Sequence, residues 1–163
     1  MLASLVVALS APRAALPAGE IVRGAATAVD GDLLDLEGRE LRLHAIDAPD
    51  AGQTCRTRGG REYDCGAEAR AMLGRLLEGR ETECEVLHIG SDGRHVALCR
   101  IGGISVAGAM VLRGWAFAAE RLAPDYARLQ SVAQARRAGM WAGRVEAPWL
   151  WRSRRLEDGA RRR

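Results

Sequence analysis

"EIVRGAATAVDGDLLDLEGRELRLHAIDAPD", residues 20–50, decides the fold. Its first ten residues hold enough β-branched side chains for a strand, and DGD at 30–32 supplies a turn. LLDLEG then returns. In RELRLHAI, residues 39–46, Leu41, Leu43 and Ala45 alternate with Glu40, Arg42, His44 and Ile46. Strict period two predicts a half-buried strand whose polar face carries Arg42. DAPD stops that strand, because Pro49 lacks a ladder donor and restrains its neighbour. Three consecutive strands result, with Asp30, Asp32, Asp47 and Asp50 gathered in the turns around Arg42. A solvated hairpin needs charge only on its outer face; this mixture suits a cation site facing a phosphate site.

Further along, GAEARAMLGRLLEGR at 66–80 sets Ala69, Met72, Leu73, Leu76 and Leu77 at helical spacing, which predicts an amphipathic helix. TECEVLHI (82–89) and GRHVALCRI (93–101) flank the turn GSDG and read as a hairpin. ISVAGAMVLRG at 104–114 reads as a short buried helix capped by Gly114. WAFA follows as a brief extended segment. APDYARLQSVAQARRAG at 123–139 reads as a helix with Pro124 in its first turn and Gly139 past its end. Three strands, a helix, two strands and two further helical stretches suit an α+β fold, a five-stranded Greek-key barrel of the OB type with about three helices.

The bulk properties admit one domain. A chain of 163 residues, 48% apolar and 28% charged, has room for one core and little more. The net charge is +3, and all 24 basic residues are arginine, so the location of particular arginines matters more than their number. LASLVVAL at 2–9 is too short to span a bilayer and has the character of an export-signal core, so residues 1–19 read as a signal peptide or a disordered arm. Residues 20–151 then form the domain, and 152–163 a solvated basic tail.

Cys55, Cys65, Cys84 and Cys99 contain no CxxC pair, which argues against a zinc ribbon or a thioredoxin-like centre. Centring the hairpin between Ser91 and Asp92 sets Cys84 directly opposite Cys99, close enough for a bridge. Cys55 and Cys65 then close the loop CRTRGGREYDC. Two disulfides imply an oxidising compartment, secreted or periplasmic.

DGD at 30–32, RLHAIDAPD at 42–50, DGRHVALCRIGG at 92–103 with VLRGWA behind it, and AGMWAG at 138–143 together resemble the staphylococcal nuclease-like (thermonuclease) family. Within it, the cysteine spacing and APWLWR at 147–152 resemble an exported bacterial branch, some of whose members are labelled succinoglycan-biosynthesis proteins. The resemblance implies an OB-fold phosphodiesterase that uses Ca2+ to cut DNA and RNA and leaves 3′-phosphate ends, acting as a monomer without membrane insertion. It also implies roles. Asp32 and Asp47 would ligate the metal beside the Ala48 carbonyl, Arg42 and Arg94 would hold the phosphate, and Asp50 stands where the family has a catalytic glutamate.

Elementary chemistry fits these roles. Calcium takes oxygen ligands and can neutralise a phosphodiester oxygen, while guanidinium groups grip the equatorial oxygens bidentately. The sequence also departs from the family pattern. Leu33 and Ala48 replace threonines, Asp50 is one methylene shorter than glutamate, and Asp92 puts a negative charge where a phosphate-contacting hydroxyl is expected. A non-catalytic module that binds nucleic acid or another polyanion, such as an envelope exopolysaccharide, is therefore the second reading. His44, His88 and His95 read as surface residues, and the four tryptophans as core or docking groups.

Overall fold

The computed structural model describes residues 15–161. Strands β1 (Ile21–Ala28), β2 (Leu33–Leu36) and β3 (Glu40–Leu43) form an antiparallel meander, as the opening segment predicts. After β4 (Ile46–Asp47), the short strands β5 (Thr54–Arg56) and β6 (Glu62–Asp64) make a separate hairpin. Helix α1 (Cys65–Leu77) leads into β7 (Glu81–Ile89) and β8 (His95–Ile101). β1 pairs with β7, β7 with β8, and β8 closes on β3 in parallel with Leu41 opposite His95. That last pairing turns an open sheet into a five-stranded closed mixed barrel. The fold is thus the α+β barrel of the OB type.

Alternation explains which side chains fill it. Leu34, Leu36, Leu41, Leu43, Val86 and Ala97 point inward and are buried. Leu73 and Leu77 of α1 are buried with them, and each such leucine contributes about 2 kcal/mol. Asp64 caps α1 by accepting from the Ala67 N–H at 2.8 Å.

Both expected disulfides are present, Cys55–Cys65 and Cys84–Cys99. Cys84 lies opposite Cys99 in the ladder, but a bulge between Val86 and His88 shifts the register toward the tip. The turn therefore closes as Gly90 N–H to Arg94 carbonyl, 2.8 Å, rather than symmetrically about Ser91 and Asp92.

Several expectations are corrected. The strand predicted to run to Ile46 breaks after Leu43. Ala45 takes φ +60°, and Ile46 is buried instead of lying on Arg42's face. Residues 104–105 form the short strand β9 (Ile104–Ser105), and α2 spans Val106–Leu112, capped by the Ser105 hydroxyl. β10 (Phe117–Ala118) pairs with β4, and α3 spans Pro124–Ala135. A 3-10 turn then covers Gly139–Ala142. Gly114 (φ +74°) and Gly139 (φ +53°) pack backbone to backbone, so a Cβ on either would strike its partner's chain.

Residues 152–161, read as a solvated tail, are helical. α4 spans Pro148–Arg161, giving four α-helices among the described residues where about three were expected. Ordered contacts also begin before residue 20. Leu16 is buried in the core and donates its N–H to His95 Nε2 at 2.9 Å. The expected leader core at 2–9 lies outside the described residues. Among the described residues no helix is long and apolar enough to cross a membrane.

Candidate functional site

The break at Ala45 builds the site. Turning the chain there sends β4 out of the barrel sheet to pair with β10, Asp47 opposite Phe117. Asp47 thereby comes close to Asp32, which ends the turn between β1 and β2, while Asp50 lies near Asp47 and Asp30. Asp32 is 6% exposed, and the Arg42 Nη1 donates to it at 3.1 and 3.3 Å. The backbone of Ala48 also favours the charged form of Asp32, more weakly. Burial pushes the Asp32 carboxyl up to about 6, Arg42 pulls it back, and Asp47 and Asp30 push it further.

Arg42 has a second partner. Its Nη2 lies 3.2 Å from Asp92 Oδ2, and Arg94 Nη1 lies 3.2 Å from the same oxygen. Two guanidinium groups, one from β3 and one from the turn just before β8, therefore converge on one anionic oxygen. Arg94 also donates through Nε to Glu40 at 3.1 Å, and hydrogen bonds to Glu40 and Asp92 raise its pKa further. The Arg94 backbone N–H donates to Asp92 Oδ1, and this bond is the main reason the Asp92 carboxyl titrates low.

The acidic loop has a counter-ion that the sequence reading missed. Arg152 of α4 donates through Nη2 to Asp47 Oδ2 at 2.7 Å, through Nη1 to Asp47 Oδ1 at 3.1 Å, and through Nη1 to Asp50 Oδ2 at 2.9 Å. The hydrogen bond to Asp47, with the charges of both carboxylates, raises the Arg152 pKa. Burial raises the Asp50 carboxyl, and Arg152 opposes that shift. Arg42, Asp50, Asp92, Val96, Arg152 and the Gly90–Ser91 tip line a cleft of about 450 Å³. The Arg94 side chain does not line it and meets it through its ion pair with Asp92.

Among the described residues no group of three or more His, Cys, Asp or Glu side chains is arranged to hold a metal ion. The donor set nonetheless suits a hard dication. Asp32 is a buried carboxylate whose desolvation Arg42 does not fully offset, and Asp47 adds repulsion that a cation would relieve.

Asp32 is therefore costly to the metal-free fold. Its folded pKa lies above the usual 3.8, so the native state binds the extra proton. Stability on this account is greatest below about 4 and falls as pH rises through about 6. At pH 7 the cost is on the order of 3 kcal/mol, two units at about 1.4 each. Asp32→Asn should raise the melting temperature by roughly 5 °C or more at pH 7 without metal. The gain should vanish near pH 4, which calorimetry at the two pH values would measure.

Comparison with known proteins agrees with this architecture. The chain is 32% identical over 134 residues to succinoglycan biosynthesis protein ExoI of Rhizobium meliloti (strain 1021), covering 79% of this chain and 69% of that protein. It is 29% identical over 115 residues to probable staphylococcal-like nuclease CAN2 of Oryza sativa subsp. japonica, and 32% identical over 119 residues to CAN4 from the same plant. Those matches cover 69% of this chain but only 28% and 21% of the rice proteins, so the chain spans about a quarter of their length. The family model described as staphylococcal nuclease homologue matches residues 40–143, which carry Arg42, Asp47, Asp50 and Arg94. The chain belongs to the staphylococcal nuclease homologue family.

Proposed function

We propose that this protein is a calcium-dependent nuclease that hydrolyses phosphodiester bonds of DNA or RNA as a secreted or periplasmic monomer. The observation that carries the reading is the convergence of Arg42 and Arg94 on a single oxygen, 3.2 Å from each. A phosphate oxygen exchanged for Asp92 would meet the same two donors, and fixed guanidinium groups stabilise the charge that builds during attack.

Asp50 opens on the same cleft and would position and deprotonate the attacking water. Its raised pKa brings it nearer the range that suits a general base. Asp32 and Asp47, with the Ala48 carbonyl, would hold calcium, which when bound neutralises the non-bridging phosphate oxygens. The two disulfides, close to the site in sequence, support maturation in an oxidising compartment.

A second reading has its own support. Asp92 already satisfies both phosphate-gripping arginines, and ExoI is named for polysaccharide biosynthesis rather than cleavage. A non-catalytic polyanion-binding module would tolerate that internal neutralisation. A cleavage assay on denatured DNA separates the two. Cleavage with calcium, its loss in EGTA, and its loss in Arg94→Ala are expected for the nuclease. DNA retained on the protein but left intact in calcium would establish the binding module.

A further inference from the structure

We propose that Arg152 is a resident counter-ion of the site, a positioning residue that holds Asp47 and Asp50 together and that calcium must displace from Asp47. The inference rests on the reading of Asp47 as a cation ligand given above. Both oxygens of Asp47 are engaged by the one guanidinium, at 2.7 and 3.1 Å. A dication that uses Asp47 therefore meets a competitor of the same charge sign already in place.

The contact is built into the fold. Pro148 starts α4, and the Ala147 carbonyl accepts from the N–H groups of Leu150 and Trp151. Trp149 packs edge-on against Phe117, ring centroids 5.3 Å apart, and Phe117 is the β10 residue opposite Asp47. One end of the helix is thus fixed to the strand pair that carries the acid. A second tie comes from Gln53, which is fully buried. Its Nε2 donates to the Glu146 carbonyl at 2.8 Å, and its Oε1 accepts from the Asp50 N–H at 3.2 Å. The segment entering α4 and the acidic loop are therefore held in register, and Arg152 reaches both carboxylates without a free choice of position.

The consequence is a raised threshold for calcium. A cation within hydrogen-bonding distance of a ligand carboxylate disfavours a second cation there, whereas the same carboxylates without it attract one. With Arg152 in place, calcium affinity falls in the weak range of extracellular modules, a Kd of about 10⁻⁴–10⁻³ M. Arg152 stays at the cleft wall when released, since α4 remains docked through Trp149 and Gln53.

Calorimetric titration of the full chain with calcium chloride, without nucleotide, tests this. Arg152→Gln is expected to bind calcium roughly 10-fold more tightly than the parent, and Arg152→Lys, which keeps the charge but loses the planar fork, by an intermediate factor. A residue with a merely structural role would give the opposite sign, because loosening the loop weakens the site. Unchanged or weaker binding in Arg152→Gln, or no calcium binding in parent and variant alike, overturns the proposal. If Arg152→Gln fails to fold, Arg152→Lys carries the test, and equal affinity in it and the parent is the overturning result. Tighter calcium binding with no DNA cleavage by either protein would sustain the counter-ion role while removing the nuclease reading.

Discussion

Arg42→Ala is expected to reduce kcat/KM for DNA cleavage by roughly a thousandfold, the scale of losing a fixed donor to a developing oxyanion. Arg42 joins two functions, because one guanidinium faces both Asp32 and Asp92. Its removal takes one of the two donors from the proposed phosphate position and strips the buried Asp32 of its neutralising partner. The loss should therefore appear in kcat as well as KM, and the metal-free protein should melt lower. Calcium should restore part of that stability, since it supplies Asp32 with a new counter-charge. Arg42→Lys keeps the charge but offers a single-point ammonium that cannot bridge two acceptors, so about a hundredfold loss is expected. Steady-state kinetics on denatured DNA, with melting curves in calcium and EGTA, measure all of this. Activity within tenfold of the parent for Arg42→Ala would remove Arg42 from the mechanism.

The largest effect on folding belongs to the Cys84–Cys99 bridge. The two cysteines lie 15 residues apart and are 0% and 3% exposed, cross-linked in mid-ladder within the core. Closing a loop of that length in the unfolded chain corresponds to about 3 kcal/mol. The Cys84→Ala, Cys99→Ala double variant should melt lower by roughly 6–12 °C, with a further loss from the space the sulfurs vacate. Function should suffer in step, because this hairpin presents Asp92 and Arg94. Differential scanning calorimetry of the variant and the oxidised parent gives the comparison. A shift below about 2 °C would mean the ladder holds the hairpin in register unaided.

Much of this was legible locally. The DGD turn, the alternation of Leu41 and Leu43 around Arg42, and the opposition of Cys84 and Cys99 are all written within windows of about twenty residues. Backbone period and turn chemistry act at that range, so pattern alone recovers the meander, the hairpin and both bridges. The resemblance of the ordered motifs then pointed to Asp32, Arg42, Asp47, Asp50 and Arg94 as one group.

Tertiary structure decided the rest. Period two continues through Ala45, yet the chain turns there at φ +60° and β4 pairs with β10, a strand about 70 residues away in sequence, instead of extending β3. Strands β5 and β6 are three residues each, too short for their alternation to stand out; their pairing is held beside the Cys55–Cys65 bridge. Barrel closure depends on Leu41 meeting His95 across the chain, a parallel contact no local signal encodes. Arg152 is the clearest case. It looked like one arginine in a basic tail, and a hint lay in Pro148 with two tryptophans, the mark of a docked helix. Its partner Asp47 is 105 residues away, and only the packing of Trp149 on Phe117 and the tie of Gln53 to Glu146 bring the charges together. Local sequence determined which side chains could do chemistry; long-range packing determined which of them are paired to one another.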